Sequence, residues 1–279
     1  MRVYISGDIE GITGIVSWSQ AEGPTNEAYD FAFARQMYTH DLNAAIRGAR
    51  AAGASKVVVK DSHGWCKNIL VSDLEPDVEL ISGYGRMPHG MMEGIQEGFD
   101  AAILVGYHAM AGHRGLMAHA LVGGLHRFWI NGEEAGEIAF SVGLAGSYGV
   151  PLVAVTSDDA GCSEAEATIK GVRTYAVKVA LGSFITRLKH PSVTGPGIEA
   201  TVREAVSTAS QVQPYRFDGP VTMRIQFQNA NQAELPPLMD GVSILDPYTL
   251  EWTGSNFLAA ARRAVSVFEF SRAGRGLQD

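Results

Sequence analysis

Short apolar runs alternate along this chain with longer segments in which apolar residues recur at helical spacing. We predict strands at four such runs, Arg2–Ser6, Lys56–Lys60, Val78–Ile81 and Ala101–Val105. Apolar runs without strict alternation are typical of strands that are covered on both faces, as in parallel sheets. The first part of the chain is therefore expected to build a buried sheet.

Helical segments lie between the predicted strands. A long amphipathic helix is predicted after the first strand, with Asn26 as its cap, Ala51 at its end and Gly53 as the stop signal. A second helix is predicted over Gly136–Tyr148, just before the strand Leu152–Val155. Strands that alternate with helices predict an α/β fold with a mostly parallel, doubly wound sheet.

The pattern changes near residue 190. Pro191, Gly195 and Pro196 are predicted to break the chain, and a helix (Ile198–Val212), a strand (Val221–Phe227) and a terminal helix (Asn256–Phe270) follow. We therefore expect a larger metal-binding catalytic α/β domain over residues 1–190 and a smaller C-terminal α/β portion over residues 191–279.

Composition and charge narrow the function classes. The 279 residues are 46% hydrophobic and 19% charged with a net charge of −8, which is ordinary for a globular enzyme and disfavours nucleic acid as a partner. No apolar run is long enough to span a bilayer, and no signal peptide is predicted. Cys66 and Cys162 lack metal-type spacing, and we expect reduced thiols in a cytoplasmic enzyme.

Acidic and imidazole side chains follow the ends of several predicted strands. Residues two apart on a strand point to one face, so Asp8 and Glu10 converge just after the first strand. In a doubly wound sheet, ligands bind outside the carboxyl ends of the strands. Groups that are distant in sequence are therefore expected to meet there: Asp8, Glu10, His63 after Asp61-Ser62, His108 after Tyr107, and Glu137 after the strand and turn Trp129–Gly132.

These five side chains predict a metal site. Carboxylates combined with imidazoles suit zinc, with manganese or cobalt as alternatives. Five ligands are too many for one open tetrahedral ion, so we predict two ions with Asp8 as the bridge. Two adjacent metals can activate a water molecule and polarise a carbonyl group together.

Two more residues are assigned supporting roles. His119 is predicted to be the catalytic acid–base, which passes a proton from a metal-activated water to a leaving amine. Asp61 is predicted to accept a hydrogen bond from the second ring nitrogen of His63. Asp158-Asp159 is interpreted as a helix cap, and the other histidines as surface or structural residues: His40, His89, His113, His126 and His190.

Each of these residues taken alone also has a structural interpretation. Asp8 and Glu10 are compatible with a solvated loop, and Asp61-Ser62-His63 with a local turn. A single histidine such as His108 is more often a core residue, and Glu137 suits the first turn of a helix. The metal hypothesis depends on their joint occurrence at strand ends.

Several segments together resemble one family, the DppA-type D-aminopeptidases, which are binuclear zinc peptidases. The order and spacing of the matching segments hold over at least the first 160 residues. They are Ser6-Gly7-Asp8-Ile9-Glu10-Gly11-Ile12, Asp61-Ser62-His63, Leu80-Ile81-Ser82-Gly83, Gly106-Tyr107-His108-Ala109, Met117-Ala118-His119, and Ile130-Asn131 through Gly136-Glu137.

The resemblance implies two Zn²⁺ per subunit. The family's ligands fall on Asp8, Glu10, His63, His108 and Glu137, and its catalytic histidine falls on His119. It further implies a ring-shaped homo-oligomer, a decamer of stacked pentamers whose active sites face an internal channel, and a preference for D-amino acids.

The predicted function is therefore a metallo-aminopeptidase that removes N-terminal, D-configured residues from short peptides or amino-acid amides. Two other classes stay open on the residues alone. One is a metal-dependent phosphohydrolase with Asp8 as the nucleophile, in which the histidines after the strands have no role. The other is a non-catalytic metal-binding or ring-forming accessory protein.

Overall fold

The computed structural model describes residues 1–21, 28–85 and 87–275. Twelve strands and six α-helices lie within these ranges. The strands are β1 Arg2–Gly7, β2 Lys56–Asp61, β3 Glu79–Ile81, β4 Ala101–Val105, β5 Leu125–Ile130, β6 Glu133–Glu134, β7 Leu152–Asp158, β8 Arg173–Gly182, β9 Ile185–Leu188, β10 Val221–Phe227, β11 Val242–Asp246 and β12 Thr249–Gly254. The helices are α1 Trp18–Ala21, α2 Ala28–Ala51, α3 Glu137–Ser147, α4 Asp159–Thr168, α5 Pro191–Ser207 and α6 Phe257–Arg275.

The larger sheet has the order β3-β2-β1-β4-β7-β8-β9. Its neighbouring strands are parallel from β3 to β8, and only the edge strand β9 is antiparallel. After β1 the chain moves outward to β2 and β3, then returns to the other side of β1 to form β4. This reversal places a crevice at the carboxyl ends of β1 and β4, where α/β sheets bind ligands. The predicted mostly parallel, doubly wound α/β fold is confirmed.

Both faces of the large sheet are covered. Val3 and Ile5 of β1 point into a core that includes α2 and α5, whereas Tyr4 points into a second core that includes α3 and α6. The two outer helices approach closely at Gly48 of α2, where an added Cβ would lie 2.4 Å from the Glu199 carbonyl oxygen. Burial on both faces explains why the central strands are apolar throughout.

A second, antiparallel sheet has the order β11-β12-β10-β5-β6. It covers one side of α6, and its central strand β10 pairs with β5, which precedes it by about ninety residues. The small sheet therefore draws strands from both sides of residue 190, while α5 packs with the large sheet. The predicted domain division at residues 190 and 191 does not coincide with the division between the sheets, and as a statement about domains it stays a prediction.

Some local predictions were wrong. Pro191, Gly195 and Pro196 do not break the chain but lie in α5. Pro191 is the first helical residue, where no N–H donor is needed, and the His190 side chain accepts a hydrogen bond from the Ser192 N–H. Gly195 lies where an added Cβ would be 3.0 Å from His40 Nε2, so close packing on α2 favours glycine there.

The sequence pattern also missed strands β8, β9, β11 and β12. The predicted cap Asn26 lies outside the described residues. No helix in the described ranges is both long and apolar enough to cross a membrane.

Candidate metal and active site

The chain turns sharply after β1, in a segment that we call the acidic loop (Asp8–Val16). The Gly11 N–H donates a hydrogen bond to the Gly106 carbonyl oxygen at 2.8 Å, just beyond β4. An added Cβ at Gly11 would lie 1.9 Å from the Tyr107 carbonyl oxygen. This position therefore needs glycine, and the close approach fixes Asp8 and Glu10 over the end of β4.

The predicted site residues come together at this crevice. Asp8 and Glu10 follow β1, His63 follows β2, and His108 follows β4, as the strand-end argument expects. Glu137 is the first residue of α3, so its carboxylate lies at a helix N-terminus.

One half of the cluster is centred on His63. Its Nδ1 lies 3.0 Å from Asp8 Oδ1 and 3.2 Å from Glu10 Oε2. Its Nε2 lies 2.8 Å from the Ala21 carbonyl oxygen. Because a carbonyl oxygen only accepts, Nε2 carries a proton, and in the neutral ring Nδ1 directs its lone pair at the two carboxylates.

The other half is centred on His108. Its Nε2 lies 3.5 Å from Asp8 Oδ2 and 3.3 Å from Glu137 Oε2. Its Nδ1 donates a hydrogen bond to the Ala109 carbonyl oxygen at 3.0 Å, which leaves the Nε2 lone pair facing the acids. The two oxygens of Asp8 therefore face different imidazoles, which is the arrangement of a bridging carboxylate.

The burial and spacing of these ligand atoms fit a bound zinc ion. An imidazole lone pair facing a carboxylate is repulsive unless a proton or a metal cation lies between them. Glu10 Oε2 and His108 Nε2 are buried with no hydrogen-bond partner among the described residues. Tetrahedral zinc places neighbouring ligand atoms roughly 3.3 Å apart, close to the 3.0–3.5 Å separations between these imidazoles and carboxylates.

The charges of the cluster are strongly coupled. Burial, together with the neighbouring Glu10, raises the pKa of Asp8 to about 7. Burial opposes ionisation of Glu10 and Glu137, yet His63 and His108 hold the pKa of these two carboxyls below the usual range. Burial also opposes protonation of both imidazoles, but the adjacent acids raise the pKa of His63 and His108. The cluster is thus built to attract positive charge.

His119 lies on a separate segment, which we call the histidine loop (Met117–Gly124). Its Nδ1 donates a hydrogen bond to the Met117 carbonyl oxygen at 2.9 Å, and its Nε2 lies 3.9 Å from both Glu10 Oε1 and Glu137 Oε1. The ring stacks on His108 at 4.0 Å between centroids. Burial and the neighbouring His108 lower the pKa of His119, which favours a neutral ring with a free Nε2 lone pair.

His119 is also near enough to act as a ligand. His108, His119 and Glu137 each offer a ligand atom within 4.8 Å of the others, as do Asp8, Glu10 and His108. His119 differs from the other candidates in exposure, because 27% of its side chain is accessible, against 11% for His63 and 1–3% for the rest. An accessible imidazole beside the cluster suits proton transfer better than ligation.

The histidine loop has a strained backbone on both sides of His119. Met117 and Leu121 have φ values of 51° and 56°, a region that non-glycine residues rarely adopt. The Leu121 N–H donates to Glu137 Oε1 at 2.6 Å, and the Met117 N–H donates to the Ser183 carbonyl oxygen at 2.9 Å. These two bonds hold the strained turn against the cluster and the β8–β9 hairpin.

One predicted contact was wrong. Asp61 does not bond to His63, because its carboxylate accepts the N–H groups of Asn68 and Ile69 at 2.5 and 3.2 Å. The Ala21 carbonyl oxygen takes that role instead. No residue type marks a backbone carbonyl in the sequence, so this partner could not be predicted. The interpretation of Asp158 as a cap is confirmed, since it accepts the Gly161 N–H at 2.8 Å.

The cluster opens into a cavity of about 710 Å³. Asp8, Glu10, His63, His119 and Glu137 line one side of it. The other walls combine apolar and polar side chains. They include Met91, Leu121, Phe140, Val265 and Phe268, and then Tyr84, Glu269 and Arg272. The cavity can hold an organic substrate with one end at the acids and imidazoles.

The chain is similar to known proteins along nearly its whole length. The peptidase M55 family, described as D-aminopeptidase, matches residues 1–266. A D-aminopeptidase of Bacillus subtilis (strain 168) is 32% identical over 272 residues, which is 97% of this chain and 98% of that protein.

A solved structure is also similar, that of the zinc-dependent D-aminopeptidase DppA from Bacillus subtilis, described as a self-compartmentalizing protease. It matches with a TM-score of 0.92 and 30% identity over 98% of each chain. The family match spans nearly the whole chain, including every residue of the cluster. The chain therefore belongs to the M55 family of D-aminopeptidases.

Proposed function

We propose that this protein is a zinc-dependent aminopeptidase that removes N-terminal D-amino acids from short peptides or amides. The observation that carries the proposal is the position of Asp8, whose two carboxylate oxygens face two separate imidazole and acid pairs inside a cavity. Family membership supports peptide hydrolysis as the chemistry.

The cluster would hold two ions. Asp8, Glu10 and His63 would hold one, and Asp8, His108 and Glu137 the other, with Asp8 between them. Zinc is the expected metal, and Mn²⁺ and Co²⁺ are the alternatives. Bound zinc supplies Lewis acidity, which makes a water molecule more acidic and polarises a carbonyl group.

His119 would handle the proton. Its Nδ1–H is occupied by the Met117 carbonyl oxygen, so only Nε2 is free, and Nε2 faces Glu10 and Glu137. Because burial and the neighbouring His108 lower the pKa of His119, the neutral form of the ring is favoured, and this form can accept a proton from the attacking water. The same nitrogen can then return the proton to the departing amine.

The remaining cavity would hold the peptide. The free amino terminus of the peptide would be bound at the cluster, by a metal ion or by one of the carboxylates. The apolar wall near Phe140 and Val265 excludes water from the reacting carbonyl and accepts an apolar side chain.

The two other function classes fit the site less well. An attacking Asp8 needs a free oxygen, but Oδ1 contacts His63 and the Ile9 N–H, and Oδ2 faces His108. A phosphohydrolase of that type would also leave His119 without a role. A non-catalytic metal protein has no need for an accessible imidazole at the mouth of a cavity.

We also propose a homo-oligomer, a ring-shaped decamer with the active sites facing inward, in the cytoplasm. A self-compartmentalizing relative supports assembly. The hairpin of β8 and β9 supports it further, because this sheet edge exposes several large apolar side chains that a second copy of the chain would cover. They are Leu181, Phe184, Ile185 and Leu188, between 45% and 59% exposed.

One combined experiment tests the enzymatic proposal. Purified protein is analysed for metal content, dialysed against a chelator, and assayed on paired D- and L-aminoacyl amides and dipeptides. We expect two zinc ions per chain, hydrolysis of the D series, and recovery of activity when zinc is returned. Full activity in the metal-free sample, or phosphatase activity without amide hydrolysis, contradicts the proposal. Sedimentation velocity of the same sample tests the decamer.

A further inference from the structure

Lys178 of β8 is a fully buried lysine whose hydrogen bonds all go to one segment. Its ammonium group donates to the carbonyl oxygens of Glu10, Ile12 and Ile15 at 2.6, 2.9 and 2.8 Å. All three acceptors lie in the acidic loop. An ammonium group has three N–H donors, so the donors and acceptors match completely.

Burial of an ammonium group is costly unless the charge is well compensated. Lys178 is compensated by three backbone dipoles and by nearby carboxylates, among them Asp158, its neighbour on β7. The three carbonyls converge on one point only when the acidic loop is wound as the structure has it. The cost of burying the charge is therefore offset only when the loop adopts this one conformation.

The same loop is fixed at other points by contacts that do not involve Lys178. The Thr13 N–H donates to Asp41 of α2 at 2.8 Å, and Gly11 contacts the end of β4. These contacts hold the loop at two of its N–H groups, whereas Lys178 binds three of its carbonyl groups. The Glu10 carbonyl belongs to the same residue as the carboxylate that faces His63, so the position of one restricts the other.

We propose that Lys178 is a positioning residue for the metal cluster. Its ammonium group organises the acidic loop from within and aims the Glu10 carboxylate at the His63 side of the cluster before any metal binds. The inference rests on the proposed zinc function, and it assigns to Lys178 no contact with substrate. Hydrogen-bond partners that orient a ligand typically change metal affinity by about 10–100-fold when they are removed.

The first test measures zinc affinity by competition with a chelator of known affinity, on full-length purified variants. Lys178→Met keeps the apolar stem but offers no donor, and we expect zinc to bind about 10–100-fold more weakly. Lys178→Gln offers two N–H donors without charge and is expected to fall between the wild type and Lys178→Met.

Lys60 provides a matched control. It is also fully buried on a strand of the large sheet, but it donates to the carbonyl of the adjacent Asp61 and not to the acidic loop. Lys60→Met should therefore lower the melting temperature but bind zinc within about twofold of the wild type. Zinc affinity of Lys178→Met within twofold of the wild type overturns the inference.

A second test needs no variant. If Lys178 organises the acidic loop, the Gly11 and Thr13 amides should exchange slowly with deuterium in metal-free wild-type protein. Exchange at the rate of an unstructured chain overturns the inference even where Lys178→Met fails to fold. Wild-type protein that binds no zinc contradicts the proposed function instead, and the exchange measurement still tests the role of Lys178.

Discussion

The acidic loop and the histidine loop meet at the same cavity but are built differently. Asp8 and Glu10 in the acidic loop are each 2% exposed, and the loop is held by a buried ammonium, a buried carboxylate and a close glycine contact. The histidine loop is partly exposed and has two left-handed residues around His119. The loop that carries the proposed metal ligands is thus enclosed, while the loop that carries the proposed proton carrier stays accessible.

The difference has a physical reason. Ligand atoms must keep fixed separations whether or not a cation is present, so their backbone is best held by many short contacts. A proton carrier must meet both a water molecule and a departing amine, and some freedom of its ring is useful. We therefore expect substitutions in the two loops to change different measured quantities, namely zinc content for the acidic loop and kcat for the histidine loop.

The largest effect is expected for Asp8→Ala, which removes both oxygens that face the two imidazoles. Zinc content should fall below one ion per chain, and kcat/KM should fall by at least about 10⁴-fold, since ligation and catalysis are lost together. Metal analysis and amide hydrolysis on the same sample give both numbers. A variant that keeps two zinc ions would show that Asp8 is not the bridge.

His119→Ala should separate the two quantities. Zinc content should stay at the wild-type value, while kcat falls by about 10²–10⁴-fold, the usual range for loss of a positioned acid–base group. His126 also lines the cavity but is exposed and away from the cluster, so His126→Ala is the matched control. Loss of a zinc ion from His119→Ala would instead identify His119 as a ligand.

Gly11→Ala tests how tightly the acidic loop is held. The added Cβ would lie 1.9 Å from the Tyr107 carbonyl oxygen, a backbone atom that cannot move away without disturbing β4. We expect the free energy of unfolding to fall by about 3 kcal/mol, as for other overpacked sites. Gly85→Ala places its methyl group in open space, and urea denaturation should show little change there. Equal stability of both variants would mean that the loop is more yielding than the structure indicates.

The smallest effect is expected at Glu164, which lies outside both loops. Its carboxylate accepts the Met110 N–H at 2.7 Å, and burial raises its pKa to about 7. An acid whose pKa is raised in the folded state costs no stability while both states are protonated. The cost grows from about pH 4.5, the pKa of an unperturbed glutamate, and is complete above pH 7.

Glu164→Gln removes that cost. Relative to the wild type, its stability should therefore rise across this pH interval, by about 2 kcal/mol after allowance for partial exposure. Melting temperatures between pH 4 and 8 measure the difference, and the kcat of the variant should stay unchanged. A stability difference that does not vary with pH would contradict the raised pKa.

Much of this site can be predicted from the sequence, because most of its residues directly follow a recognisable strand. Asp8, Glu10, His63 and His108 each follow an apolar run, and the rule that parallel strands share a carboxyl edge brings them together. The Ala21 carbonyl that orients His63 is a backbone group, so no pattern of side chains identifies it. The partner wrongly assigned, Asp61, is instead occupied by the amides of the following turn.

The fold was predictable to a similar degree. The central strands have continuous apolar runs and were found, whereas β11 and β12 form an antiparallel hairpin with mixed polar and apolar residues. Pro191 takes the first position of α5, where proline is favoured, and packing of α5 on α2 outweighs the helix-breaking preference of Pro196. The sequence around β5 does not indicate that this strand pairs with β10, which lies far along the chain.

Glu137 has a position that bears on how the whole molecule unfolds. It begins α3 directly after β6 of the small sheet, while Asp8, His63 and His108 end strands of the large sheet. An ion held by Glu137 together with Asp8 and His108 would cross-link the two sheets. Because a ligand that binds only the native state stabilises it in proportion to the logarithm of its concentration, free zinc would set the cooperativity of unfolding. With zinc the two sheets should melt as one unit, and in chelator the small sheet should separate at a lower temperature.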